Sequence, residues 1–401
     1  MKKKNIILGL GALLFPWTAM AQYTIYPVPQ QQVAGTGAAS MGQQVTVVCG
    51  EGIDSYTRDR AEQILKEHGL QPVFADTEVA GTAQLFLGIN GSGDAADEQA
   101  TQLNLSRDVF SLSDKYDRHV LSLTADADGK ARVVIVGEHT DAAFYGLASL
   151  EQMLDGGTDN MPCVCLNDYA DLKSRGIVEG YYGYPYAVAV KKDLMRFMMR
   201  YKMNTYLYGA KSDPYHSEKW KDAYPASLTA EQEKNGWMSQ DMISEVSEVS
   251  HQTKVNFIWA IHPGNDFVYS NTVVNDIMGK YEKMYSLGVR HFAVFVDDVG
   301  VPSSEADLKA NADHLTALQH AIEEKWNVNP ASPADTVRPL HFVPQIYCTS
   351  FASSTEQYNN FFRALSSTPS NITIYTTGGG VWSVPNSNDL EAPREPLGRS
   401  V

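Results

Sequence analysis

The residues best suited to chemistry close the run His291-Phe292-Ala293-Val294-Phe295-Val296-Asp297-Asp298, a buried-strand pattern that ends abruptly in two carboxylates. Side chains alternate along a strand, so neighbouring aspartates cannot both enter one site while the strand stays regular. Where the strand ends the backbone can turn, and both can then reach the same mouth. A close pair of carboxylates favours one protonated and one ionised member, which is the arrangement that glycosidic cleavage needs. Taken alone, an Asp-Asp pair before a loop is more often a helix N-cap or a cation site.

The elements around this pair repeat. From Leu172 onward strands and helices alternate: strands over 174–178, 203–208, 255–261, 289–296, 340–347 and 372–376, with helices over 191–201, 230–252, 272–287, 305–325 and 355–365 between them. Helical crossovers of this length imply parallel strands. Polar residues and glycines gather at the carboxyl ends of these strands: Glu179-Gly180, Lys211, His262, Asp297-Asp298, Tyr347 and Thr377-Gly378. Chemistry concentrated at one end of a parallel sheet predicts a (β/α)8 barrel, here over 172–401. About six strands are visible where closure takes eight, so the barrel is expected to be incomplete at its C-terminus. Before it, residues 22–157 read as a small α/β domain, with strands at 45–49, 84–88, 119–125 and 131–136 and helices at 57–68 and 141–154.

The bulk properties exclude several classes. The chain has 401 residues, 43% hydrophobic, with a formal charge of −15, and an acidic body repels phosphate backbones and anionic lipid. Neither nucleic acid nor membrane insertion is expected. Residues 1–21 read as a signal peptide: Lys2 to Lys4 give a positive start, Ile6 to Leu14 a short apolar run, and Ala19-Met20-Ala21 a cleavage pattern. Export, to the periplasm or the medium, is the expectation. Cys49, Cys163, Cys165 and Cys348 lack CxxC spacing, so no zinc site is expected, and Cys163 and Cys165 read as core residues on one face of a strand.

Several of these segments resemble glycoside hydrolase family 84. Gly176-Ile177-Val178-Glu179-Gly180-Tyr181-Tyr182-Gly183-Tyr184-Pro185 looks like its opening barrel strand. Met203 to Lys211 with Asp213-Pro214-Tyr215-His216 resembles its second strand and following loop, and Trp259 to Gly264 and Phe292 to Asp298 continue the match in order. The preceding domain is similar to the small α/β domain of family 20 hexosaminidases. The family contains O-GlcNAcases and bacterial hexosaminidases often labelled hyaluronidases. The resemblance implies a retaining exo-β-N-acetylglucosaminidase that uses the substrate's own 2-acetamido group, with no metal and no cofactor. Its partner would be a GlcNAc-containing glycan or glycoprotein. Asp297 would orient the acetamido group and Asp298 would act as general acid and then base. Gly180, Lys211 and Tyr347 would bind substrate, and Asp213, Tyr215 and His216 would support Lys211 and the loop. The family also grips sugar hydroxyls with an Asn and an Asp on a later segment. Leu397-Gly398-Arg399 looks like the approach to it, while Asn386 and Asp389 lie too early to be that pair. An inactive carbohydrate-binding protein, or a non-functional fragment of such an enzyme, is the alternative.

Overall fold

The computed structural model describes residues 23–384 and 386–399; the expected signal peptide lies outside them. The chain divides into two compact units, Met1–Asp171 and Leu172–Val401.

The first unit holds strands β1 (Gln31–Ala39), β2 (Gln44–Cys49), β3 (Gln71–Phe74), β4 (Ala83–Ile89), β5 (Tyr116–Ala125), β6 (Ala131–Gly137) and β7 (Met161–Ala170), and helices α1 (Ser55–Glu67), α2 (Ala95–Gln102) and α3 (Thr140–Leu154). The strands form one sheet in the order β1-β7-β5-β6-β4-β2-β3. Strands β3, β2, β4 and β6 run parallel, while β5, β7 and β1 are antiparallel. One face packs Val47, Leu85, Leu121 and Ile135 against Ile64 of α1 and Leu147 and Leu150 of α3. The other packs Val48, Phe86 and Val134 against Ala96 and Ala100 of α2. With both faces covered, the strands read as near-continuous apolar runs. Cys163 is buried, Cys165 half-buried, and both are free thiols.

The second unit is a parallel sheet in sequence order: β8 (Gly176–Glu179), β9 (Thr205–Tyr208), β10 (Asn256–Ile261), β11 (His291–Phe295), β12 (His341–Val343) and β13 (Thr373–Ile374). Its helices are α4 (Val188–Arg200), α5 (Ala230–Lys234), α6 (Gln240–Thr253), α7 (Asp266–Tyr269), α8 (Val273–Ser286), α9 (Glu305–Ile322), α10 (Thr355–Leu365) and α11 (Ser387–Leu397). Alternate strand residues such as Tyr206, Trp259, Phe292, Val294 and Phe342 join Met195, Ile243, Ile277, Leu315 and Phe361 of the helices in one core. Leu207, Ile258, Ala260, Ala293 and Phe295 form a separate, smaller cluster on the helix-free face. Helices confined to one face of a parallel sheet in sequential order are the (β/α)-barrel pattern.

Several expected elements are shorter than the apolar pattern implied. The helix expected over 230–252 is two, α5 and α6, because Gly236 takes φ 74° and a side chain there would lie 2.4 Å from the Pro185 carbonyl. Strand β12 stops at Val343, before Pro344, which has no N–H for the ladder. Helix α9 leaves α geometry at Glu323 and ends in a π turn, Glu323–Asn327.

Candidate active site

Strand β11 is buried as far as Val296, and the chain then turns sharply: Asp298 has φ 61°. Left-handed backbone is uncommon outside glycine, and aspartate is among the side chains that tolerate it. The turn aims two consecutive carboxylates at one cation. Lys211, delivered by the loop after β9, places Nζ 2.9 Å from Asp297 Oδ2 and 3.9 Å from Asp298 Oδ2. The two aspartates are otherwise held differently. Asp297 is the deeper, its side chain 14% exposed against 38% for Asp298. His262 Nε2–H donates to the Asp297 carbonyl at 2.8 Å. Asp297 Oδ1 is buried and has no hydrogen-bond partner among the described residues. Asp298 Oδ2 accepts from the Tyr182 hydroxyl at 2.9 Å.

Around the carboxylates lies a cavity of about 830 Å³. Gly180, Tyr182 and Tyr347 line it beside Asp297 and Asp298, together with Val178, Leu207, Phe295, Val343 and Tyr375. Gly180 leaves the wall open: a Cβ there would sit 3.2 Å from Val178 and 3.7 Å from Phe295. Burial, then Asp298 and Asp297, push the Tyr347 phenol up to about 12, so it remains a proton donor facing the pair. Such a cavity, apolar with a few convergent polar groups, has the usual character of a small-ligand site.

The profile of the β-N-acetylglucosaminidase family matches residues 175–400, over half of the chain and all of this site. The chain belongs to that family. A second profile, domain 2 of glycosyl hydrolase family 20, matches residues 22–169. Curated relatives include the Protein O-GlcNAcase of Rattus norvegicus, 27% identical, and that of Mus musculus, 32% identical, each over 191 residues, 47% of this chain. The match spans 19% of each relative. Among solved structures, CpGH84D aligns with TM-score 0.80 and 30% identity over 94% of this chain and 59% of its own. CpGH84B aligns with TM-score 0.71 and 25% identity over 94% of this chain and 60% of its own. Membership of glycoside hydrolase family 84 follows.

In this family member the expected supporting residues do not pair with Lys211, which is held by Asp297. Asp213 is buried beneath the loop, accepting from the hydroxyls of Tyr208 at 2.7 Å and Tyr224 at 2.6 Å and from the Tyr215 N–H at 2.9 Å. Tyr215 packs against Tyr224 and Trp237. His216 acts at one remove. Its carbonyl accepts from the His262 N–H at 2.8 Å, and His262 in turn holds Asp297. Burial pushes the His216 ring down to about 3, and its Nδ1–H donates to the Ala260 carbonyl at 2.7 Å. Lys211 itself is positioned through backbone: its N–H donates to the Tyr181 carbonyl at 3.2 Å, and Ser217 Oγ donates to its carbonyl at 3.3 Å.

Asn386 and Asp389 cap α11. The Asn386 side chain accepts from the Asp389 N–H, and Asp389 Oδ2 accepts from the Asn386 N–H at 3.0 Å. Sequence reading assigned no part to Tyr182, to the His262 contact, or to Gly209, where a Cβ would fall 2.3 Å from Phe295. Signals for the first two existed: His262 stands in the polar clusters noted above, and Tyr182 in the segment that resembles the family's opening barrel strand.

Proposed function

We propose that this chain is a retaining exo-β-N-acetylglucosaminidase, acting on terminal β-linked GlcNAc of glycans or glycoconjugates by substrate-assisted catalysis. The observation that carries the reading is the asymmetry of Asp297. Lys211 occupies one carboxylate oxygen, while the other is buried, 3.8 Å from His262 Nε2, with no hydrogen-bond partner among the described residues. A buried acceptor without a donor is costly, and the N–H of a 2-acetamido group is a donor of the right kind. With that N–H held, the acetamido carbonyl oxygen attacks the anomeric carbon as the bond to the leaving oxygen breaks. Asp297 takes up the amide proton as the oxazoline forms, and Asp298 gives its proton to the leaving oxygen. Asp298 then removes a proton from water, which opens the oxazoline at the same carbon while Asp297 returns its proton to the amide nitrogen. Two inversions give retention. No protein nucleophile is required, and the intramolecular attack has a high effective concentration.

Membership of family 84 and the likeness to the O-GlcNAcases support this reading. The test is hydrolysis of a chromogenic β-N-acetylglucosaminide, with and without a thiazoline that mimics the bicyclic intermediate. Turnover abolished by the thiazoline is the expected result. Turnover insensitive to it, or a folded chain that neither turns over nor binds it, would overturn the proposal.

A further inference from the structure

The loop after β8 carries an exposed tyrosine whose hydroxyl is spent on a reactive carboxylate. Tyr182 is 71% exposed, yet its O–H donates to Asp298 Oδ2 at 2.9 Å. The loop is clipped to its neighbour on both sides of this residue. The Lys211 N–H donates to the Tyr181 carbonyl at 3.2 Å, and the Gly183 N–H donates to Ser212 Oγ at 3.2 Å. Gly183, at φ 118°, supplies a backbone conformation that a side chain would resist. The tyrosine is therefore aimed by its backbone and is not a freely swinging surface ring. The other groups that face the carboxylate are Lys211, 3.9 Å from the same oxygen, Asp297 beside it, and Tyr347 across the mouth, with His262 behind Asp297.

We infer that Tyr182 is a positioning residue for the acid–base step: it engages Oδ2 of Asp298 so that Oδ1 presents the proton to the leaving oxygen. The inference rests on the role proposed above for Asp298. Tyr182 remains protonated throughout, because its hydrogen bond to Asp298 raises its phenol further above the neutral range. As the proton passes from Oδ1 to the leaving oxygen, Asp298 becomes an anion. The Tyr182 bond then changes from a neutral to a charge-assisted one, which is about twice as strong. Stabilisation that grows along the proton transfer lowers the barrier. The gain is largest where the leaving group needs its proton most.

The experiment compares Tyr182→Phe with the parent chain across aryl β-N-acetylglucosaminides of graded leaving-group acidity. The ring is kept and its surface is exposed, so Tm is expected to stay within about 2 °C. The expected result is a loss of kcat/KM of about tenfold or more for the poorest leaving groups, shrinking to about twofold or less for the most acidic phenols. A structural or stacking role would lower all substrates in parallel, and either a parallel loss or no loss would overturn the inference. A second arm combines Tyr182→Phe with Asp298→Asn. Effects that are non-additive agree with action through one carboxylate, and additive effects would overturn it. Thiazoline-sensitive turnover of the parent with a parallel loss in Tyr182→Phe removes this inference alone. A parent chain without turnover removes the reading beneath it as well.

Discussion

Two lysine–carboxylate pairs stand at the carboxyl ends of strands β8 and β11 of one sheet, and they are built to opposite rules. At the end of β8, Glu179 faces Lys191 of α4 at 3.1 Å, both side chains fully buried. Every oxygen of Glu179 is answered: Oε1 accepts from Lys191 and from the Tyr186 N–H at 2.7 Å, and Oε2 accepts from the Tyr206 hydroxyl at 2.5 Å. Lys191 also donates to the Tyr186 carbonyl and lies 4.9 Å from the Tyr208 ring. At the end of β11, Asp297 meets Lys211 at 2.9 Å but keeps one buried oxygen with no hydrogen-bond partner among the described residues, 3.8 Å from His262 Nε2. The closed pair fastens a loop and a helix to the sheet. The open pair leaves one acceptor oxygen that no donor among the described residues answers. Charge burial is common to both, so burial does not separate structure from function here; completeness of hydrogen bonding does.

The largest test of that distinction is a mirrored substitution. Lys191→Met leaves Glu179 buried without its cation, which is expected to cost about 3–5 kcal/mol of stability. Lys211→Met also removes the cation from a largely buried carboxylate, but Asp298 beside it is 38% exposed, so its stability cost is expected to be smaller, about 1–2 kcal/mol. Its activity should instead fall about 10- to 100-fold, the worth of a charged hydrogen bond made in the site. Denaturant midpoints and kcat/KM measured on both variants decide the matter. A Lys211→Met chain as unstable as Lys191→Met would erase the contrast.

Much of this arrangement was legible in the sequence, and the rest was hidden for identifiable reasons. The turn at Asp297-Asp298 was readable, since alternation forbids two adjacent inward side chains and the structure answers with φ 61° at Asp298. Strand β11 and helices α4, α8 and α10 stood out by period alone. Strand β1 did not: Gly-Thr-Gly-Ala-Ala has little strand preference, and its pairing with β7 comes from residues about 130 positions away. Helix α2 is short and polar, and Asp94 fixes it by accepting from the Asp97 N–H at 2.9 Å. In the site, the residue types were visible but their partners were not. Tyr182 meets Asp298 across 116 positions, and Lys211 chooses Asp297 over the nearby Asp213, whose oxygens are consumed by buried tyrosines.

Acid should weaken the fold in a predictable direction. His216 and His341 are buried, and their folded values of about 3 and about 4 lie below the ordinary value of 6.5. As pH falls through 6.5, the unfolded chain binds protons that the folded chain refuses until those lower values. Stability is therefore full above 6.5 and is lost toward pH 4 and 3. The slope is up to about 1.4 kcal/mol per pH unit for each histidine. Unfolding midpoints between pH 7 and 4 should show this decline, and His216→Asn should flatten it. A decline of equal slope in His216→Asn would assign it to other groups.

The smallest expected effect concerns the turn that makes the open pair possible. Asp298 occupies a left-handed conformation at a position whose side chain is 38% exposed. Aspartate and asparagine tolerate this backbone because a short polar side chain can bond locally, whereas alanine meets the full steric cost of about 1–2 kcal/mol. Asp298→Asn should then fold as well as the parent and still accept the Tyr182 hydroxyl through its amide oxygen. Asp298→Ala should lose about 1 kcal/mol more. Both variants lack the proposed acid, so their activity losses on a poor leaving group should match, at about 10²- to 10⁴-fold. Equal melting temperatures for the two would mean that the turn is held by β11 and the Lys211 contacts and owes nothing to the aspartate side chain. Unequal activities would mean that backbone strain at this residue helps to aim the carboxylate as well as to admit it.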